Sequence, residues 1–152
     1  MITRRHALGL IAAVPATAVL ATRVKAATPQ TYAENGIAID GTDPVAYFTE
    51  GGPVAGDPGI TLDWNGATWR FSTADNRAMF EADPEAFAPQ YGGYCAFAVS
   101  QGYTASTVPQ AWTIHDNKLY LNFSRSVRRR WERDIPGHVA KANANWPAVL
   151  NS

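Results

Sequence analysis

Cys95 has more chemistry open to it than any other residue, because it is the only cysteine of the sequence and follows two glycines. Gly92 and Gly93 allow a sharp turn, and the apolar residues around Cys95 predict a short helix that begins close to it. The positive end of a helix dipole stabilises a thiolate and lowers its pKa. Such a sulfur could act as a nucleophile or bind a soft metal ion such as Cu(I). The alternative is a buried thiol that packs as a small apolar side chain.

Two histidines could join this sulfur in a site. His115 and His138 are the remaining soft or borderline donors once the first 27 residues are set aside. With Cys95 they would make a three-ligand metal site, or one of them would serve as the base for a catalytic thiol. Their spacing does not by itself bring them together. His115 precedes a predicted hairpin turn, and His138 lies in the first turn of a predicted helix, where a solvent-facing histidine is ordinary.

Aromatic residues are candidates for shaping a ligand site around the thiol. The sequence contains 17 Phe, Trp and Tyr residues. Tyr91 and Tyr94 adjoin Cys95 in the sequence, and Tyr47 comes from another segment; with Cys95 these three form the predicted ligand-binding set. The alternative is that these rings build the core, as aromatic residues at strand and helix spacing usually do. The chain contains no Walker loop, dinucleotide fingerprint or nucleophile elbow.

The first 27 residues have the three zones of an export signal. Arg4 and Arg5 supply the basic zone, residues 7–21 the apolar run, and Ala26 and Ala27 the small residues of a cleavage site. Residues 3–8 resemble the twin-arginine signal of bacteria, which implies export in the folded state to the periplasm or the medium. An uncleaved membrane anchor is the alternative, although 15 residues fall short of the ~20 that cross a bilayer.

The net charge of the chain that remains after the signal argues against nucleic acid and anionic lipid as partners. Without the signal, 9 basic and 13 acidic residues give a net charge of −4. This sign provides no general attraction for nucleic acid or for anionic lipid, so neither a nucleic-acid partner nor a membrane partner after cleavage is expected. The basic residues are concentrated in 118–134. There Arg128-Arg129-Arg130 forms either a solvated face or a docking face for an anionic partner.

Two β-hairpins are predicted within a single domain that spans 36–152, after a flexible lead-in at 28–35. The first hairpin pairs 60–64 with 67–71 around Asn65-Gly66, the strongest two-residue turn signal. It would place Trp64 and Trp69 opposite each other. The second hairpin turns at Asp116-Asn117, and the alternation of its second strand predicts one half-buried face.

Capping residues, prolines and glycines predict several short helices. They begin at Asp43-Pro44, at the capping box Ser72 to Asp75, at Asp83-Pro84, at Tyr94, at Ser124 or Ser126, and at Pro136. The fold class is therefore α+β: a small antiparallel sheet built from two β-hairpins, with several short helices packed around it.

At Asp43-Pro44-Val45, Trp69-Arg70-Phe71 and Tyr91-Gly92-Gly93-Tyr94-Cys95-Ala96, the sequence resembles the YHS domain family. The likeness covers about residues 36 to 150 and is greatest to the exported, stand-alone YHS-domain proteins. The wider family occurs beside heavy-metal transporters and some oxygenases, and its cysteine-bearing members are associated with metal binding. The resemblance therefore implies a metal ion, copper among the candidates, as the cofactor or cargo.

The positions of further family cysteines carry other residues in this chain. Where metal-binding relatives have cysteine, it has Ala46, Ser72 and Asp75. One chain then offers a single soft ligand, Cys95, and a homodimer that shares two Cys95 side chains would restore a two-coordinate Cu(I) site.

Three functions follow from these residues. The leading hypothesis is a periplasmic, non-enzymatic YHS-domain protein that binds a metal ion or a small ligand near Cys95. The second is a thiol-dependent enzyme that uses Cys95 with His115 or His138. The third is a structural or partner-docking module that acts through the basic helix 125–133.

Overall fold

The computed structural model describes residues 12–152 and has an α+β fold, as the sequence predicts. The strands of the described residues are β1 (Ala33–Glu34), β2 (Ile37–Ala38), β3 (Asp57–Trp64), β4 (Ala67–Phe71), β5 (Trp112–His115) and β6 (Lys118–Leu121). The helices are α1 (Ala46–Thr49), α2 (Ala74–Ala82), α3 (Pro84–Phe87), α4 (Ala96–Ser100), α5 (Arg125–Glu132) and α6 (Ile135–Asn145). A 3₁₀ segment at Gln90–Gly93 leads into α4.

Both predicted hairpins form, and they lie in separate sheets. Strands β3 and β4 belong to a four-stranded sheet of order β1-β2-β4-β3, whereas β5 and β6 pair only with each other. Asn65 and Gly66 both have positive φ, 51° and 80°, as the tight hairpin turn requires. The Trp64 and Trp69 rings lie 5.7 Å apart, which confirms that they meet across the hairpin. The parallel pairing of β2 with β4 was not expected from the sequence.

The helix starts follow the capping chemistry of the sequence. Thr73 rather than Ser72 caps α2, accepting a hydrogen bond from the Asn76 N–H at 3.1 Å. Ser124 caps α5 by accepting the Val127 N–H, which decides between the two predicted serines. Each cap satisfies a backbone donor that the first turn of a helix leaves free.

Asp43 ties α1 to the start of α2 as well as capping. Its Oδ1 accepts the N–H groups of Val45 at 2.8 Å and Ala46 at 3.3 Å. Its Oδ2 accepts the Ser72 N–H at 2.8 Å, the Ser72 hydroxyl at 2.7 Å and the Asn76 amide at 2.8 Å. Since Asp43 is fully buried, these five donors replace the water that its carboxylate loses on folding.

Strand β6 separates two hydrophobic cores. Leu119 and Leu121 pack with the four-stranded sheet, α1 and α2, while Tyr120 faces the opposite way and packs with α4, α5 and α6. Tyr120 is 3% exposed and Asn122, just after the strand, is fully buried. The predicted half-buried face of this strand is therefore wrong: helices cover the side that alternation assigned to solvent.

The lead-in at 28–35, predicted to be flexible, is instead held against the domain. The Thr28 N–H donates to Leu150 O at 3.1 Å, and the Tyr32 N–H donates to Gly92 O at 2.8 Å. Gly92 has a φ of +62°, and a Cβ placed there would overlap Gln30 O. The lead-in is ordered because the backbone of Gly92 leaves room for it.

Residues 12–27 are exposed and contain no helix or strand, and backbone hydrogen bonds to the domain begin at Thr28. Within 12–152, no helix combines the length and the apolar character that crossing a bilayer requires. The twin-arginine motif at residues 3–8 lies outside the described residues.

Candidate functional site

Cys95 lies immediately before α4, where the sequence places it, and its side chain is 1% exposed. The sulfur accepts a hydrogen bond from the Phe123 N–H at 3.3 Å. It lies 3.5 Å from Asn122 Oδ1, to which the thiol donates. The site is thus neither an exposed thiol nor one packed only in hydrocarbon: polar groups of α4 and of the chain after β6 surround it.

Burial raises the pKa of the Cys95 thiol. Backbone N–H groups of Ala98, Phe123 and Phe97 act in the opposite direction, but their effect is smaller than the loss of water. The helix start was expected to favour a thiolate, and its N–H groups do act to lower the pKa of the thiol. Because desolvation outweighs them, Cys95 is a protonated thiol at neutral pH.

Asn122 is the residue of this site that the sequence analysis did not single out. Its Oδ1 accepts the Phe97 N–H at 3.0 Å in the first turn of α4 as well as facing the thiol. Its Nδ2 is buried and has no hydrogen-bond partner among the described residues. The sequence signal for Asn122 was a polar residue beside the apolar residues of a predicted strand. The alternation of polar and apolar residues in that strand predicted instead that Asn122 faces solvent.

The two histidines are each bonded elsewhere. His115 Nε2 lies 3.2 Å from a carboxylate oxygen of the exposed Asp116, at the end of β5. His138 Nδ1, on α6, lies 3.2 Å from Ser100 Oγ, and its ring packs edge-on against Phe97 at 5.3 Å. The Ser100 hydroxyl donates to Phe97 O at 2.6 Å, so a backbone carbonyl already accepts its proton.

The three-ligand metal site predicted from Cys95, His115 and His138 is not assembled. Among residues 12–152, no group of three or more His, Cys, Asp or Glu side chains is arranged to hold a metal ion. The physical reason is their placement: the Cys95 sulfur contacts Asn122 and Phe123, His115 lies beside Asp116 at the end of β5, and His138 packs on Phe97 and contacts Ser100. A homodimer that shares two Cys95 sulfurs would require the chain around Cys95 to open, because the side chain is 1% exposed.

The predicted ligand-binding tyrosines divide between the two cores. Tyr47 packs with the four-stranded sheet and donates its hydroxyl hydrogen bond to Pro109 O at 2.9 Å. Tyr91 and Tyr94 belong to the other core, where their hydroxyls donate to Asn143 Oδ1 and Pro29 O. Burial raises the pKa of all three tyrosines. Tyr47 therefore supports the core, and only the 90–95 segment remains as a common site.

A cleft of about 380 Å³ borders that segment. Tyr91 and Gly92 form one side of it, the β3–β4 hairpin with Trp64 and Trp69 forms another, and Trp146 comes from the end of α6. Its polar lining includes Glu85, Gln90 and Lys118. Cys95 is not among the lining residues. The sequence did not predict this cleft because segments far apart in the sequence build it.

The basic helix α5 uses some of its charge internally. Arg128 Nε donates to Glu132 Oε1 at 2.9 Å and to Thr113 Oγ1 at 3.1 Å. The Arg128 guanidinium lies over the Trp112 ring, and that of Arg130 lies over Phe97, each 5.7 Å from the ring centroid. These contacts favour a structural role for the two arginines over a docking face.

Comparison of the chain with protein-family models, with curated proteins and with solved structures finds no match.

Proposed function

We propose that this protein is an exported, non-enzymatic binding protein resembling the YHS domains, which holds a small ligand in the cleft beside its Gly-Gly-Tyr-Cys segment. The observation that carries the proposal is the cleft: about 380 Å³ in volume, bordered by four aromatic rings and by polar side chains. This volume lies within the range of ~300–1,000 Å³ typical of small-molecule sites, which combine aromatic walls with a few polar groups.

The state of Cys95 favours binding over thiol catalysis. A nucleophilic cysteine needs a thiolate, access to substrate and a base within reach. Cys95 is 1% exposed, and burial raises its pKa. His115 and His138 contact Asp116 and Ser100 rather than the sulfur. The thiol and Asn122 instead hold the start of α4, which positions the segment at the edge of the cleft.

The point at which regular packing begins in the N-terminal region supports export with cleavage after Ala26 or Ala27. Residues 12–27 have no helix or strand, and the first backbone hydrogen bond of the described residues is made by Thr28. Cleavage there would remove the exposed segment and keep the docked lead-in. Cell fractionation tests this proposal: the protein should reach the periplasm or the medium, and changing Arg4 and Arg5 to lysine should retain it in the cytoplasm.

Native mass spectrometry of the exported protein tests the binding function. We expect a bound small molecule that is lost when Trp146→Leu removes one wall of the cleft. The matched control is Tyr103→Leu, which removes an exposed aromatic side chain that does not line the cleft. An unliganded mass in every preparation, together with no rise in melting temperature across a panel of small metabolites, would contradict the proposal.

Binding of Cu(I) by Cys95 is the second candidate. It is favoured by the Phe123 N–H that donates to the sulfur at 3.3 Å, because such a bond also stabilises a metal-bound thiolate. The second ligand would come from another molecule after the Cys95 segment opens. Competition with a Cu(I) chelator tests it: Cys95→Ser should abolish tight copper binding, and equal affinity of the two proteins would exclude this site.

A further inference from the structure

The proposed cleft is bordered by two aromatic pairs from different parts of the chain. Trp64 and Trp69, on the β3–β4 hairpin, have ring centroids 5.7 Å apart. Tyr91 and Trp146 meet edge to face with centroids 6.0 Å apart. All four residues line the same cleft, but Trp69 and Tyr91 are only 2% and 5% exposed. The ring surface open to a ligand is therefore that of the half-buried Trp64 and Trp146, which come from different parts of the chain.

The hydrogen-bond donors of two of these rings are already used. Trp69 Nε1 donates to Trp64 O at 2.9 Å, and the Tyr91 hydroxyl donates to Asn143 Oδ1 at 2.9 Å. What the cleft offers a ligand is therefore the π surface of Trp64 and Trp146 rather than the N–H of Trp69 or the O–H of Tyr91. A π surface is electrostatically negative at its face and attracts cations, most strongly in the case of tryptophan.

The charged side chains of the cleft add both signs. Glu85 and Lys118 line it, and neither makes an ion pair or a side-chain hydrogen bond within residues 12–152. Glu85 would face a positive group held by the rings. Lys118, on β6, would attract a carboxylate carried by the same ligand.

Resting on the proposed function of the cleft, we propose that its ligand is a small zwitterion with a methylated ammonium group and a carboxylate. Trp64, Trp146 and Glu85 hold the ammonium group, and Lys118 holds the carboxylate. Methyl groups on the nitrogen spread its charge over a bulky apolar surface, which suits aromatic walls better than a strongly hydrated primary ammonium does.

Calorimetric titration of residues 28–152 with two isosteric probes tests this inference. Glycine betaine carries the trimethylammonium group, and 3,3-dimethylbutanoate has the same shape with carbon in place of nitrogen. We expect glycine betaine to bind at least ten times more tightly. Glu85→Gln should remove most of that preference, Lys118→Met should weaken both probes, and Tyr103→Leu should change neither.

The outcomes separate this inference from the function on which it rests. Equal affinity for the two probes, lost in Trp146→Leu, would overturn the cationic class and leave the cleft as a binding site. No binding of either probe would also overturn the class, while the native mass of the exported protein decides independently whether the cleft holds a ligand. Because Glu85 is exposed, Glu85→Gln keeps the test valid even if Trp146→Leu fails to fold.

Discussion

Alkylation of Cys95 distinguishes a protected thiol from a catalytic one. We expect iodoacetamide at pH 7.5 to label folded residues 28–152 far more slowly than it labels the unfolded chain. Two features of the structure act together: the side chain is 1% exposed, and burial raises its pKa. Only molecules in which the segment around Cys95 has opened would react.

The size of the effect follows from the opening step. An unperturbed cysteine with a pKa of about 8.5 is roughly one-tenth thiolate at pH 7.5, which sets the unfolded rate. Local opening in a folded domain costs from ~0 up to the global stability of ~5–15 kcal/mol. Cys95 lies between Tyr94 and Ala96, which are buried in the core with α4, α5 and α6, so an opening cost of at least ~4 kcal/mol is expected. At about 1.4 kcal/mol per factor of ten, labelling slows by roughly 10³.

The assay follows the mass of the intact protein over time, with and without urea. The matched control is Tyr103→Cys in a Cys95→Ala background, which places a thiol at a position that is 51% exposed. This control should react at nearly the unfolded rate. If folded Cys95 reacts as fast as the control, the thiol is accessible and reactive, and the reasoning against thiol catalysis is refuted.

Three further predictions concern stability. Asp43→Ala should lower the free energy of unfolding by ~3–5 kcal/mol in urea titration, because buried donors lose their charged acceptor. Gly92→Ala should lower the free energy of unfolding by more than the ~1–2 kcal/mol that a left-handed backbone costs a residue with a Cβ, because this Cβ would also overlap Gln30 O. Urea titration measures the loss. The urea midpoint should fall as pH rises above about 8.5, where the unfolded chain loses the proton of Cys95, and fall further above about 10, where it loses that of Tyr47. Burial raises the pKa of both groups, so the folded state holds these protons more tightly than the unfolded state.

Each of these has a control. Asp75→Ala removes an exposed carboxylate from the first turn of α2 and should cost only ~0.3–1 kcal/mol; a similar loss in Asp43→Ala would contradict the account of the buried network. Gly66 also has a positive φ, but a Cβ there would meet open space. If Gly66→Ala and Gly92→Ala lower the free energy of unfolding equally, the overlap with Gln30 O contributes nothing. Tyr47→Phe should flatten the pH dependence above 10, and an unchanged midpoint from pH 7 to 11 in the unmodified protein would contradict the third prediction.

Local signals in the sequence were sufficient for the hairpins and the helix starts. The Asn65-Gly66 turn depends on the backbone preferences of two adjacent residues, and the Ser124 cap on a hydroxyl three residues from its donor. The helix that follows Cys95 was likewise visible from the glycines before it. Such features are decided within a few residues, so a sequence read alone predicts them.

The remaining structure depends on contacts between distant segments. The parallel pairing of Ile37 with Thr68, the packing of the lead-in on Gly92, and the burial of Asn122 each join parts of the chain far apart in sequence. The pattern of polar and apolar residues in a strand does not predict whether helices from elsewhere in the chain will cover its more polar face. The cleft was therefore predicted only in part: Tyr91 was singled out, Cys95 lies next to the lining segment rather than in it, and the Trp64 and Trp146 sides were not predicted.

Strand β6 has a consequence for how the molecule comes apart. Leu119 and Leu121 pack in one core and Tyr120 packs in the other. Because β6 belongs to both cores, we expect that neither core unfolds while the other stays folded. Amide protons of these three residues should accordingly exchange with deuterium last and together, at the rate of global unfolding.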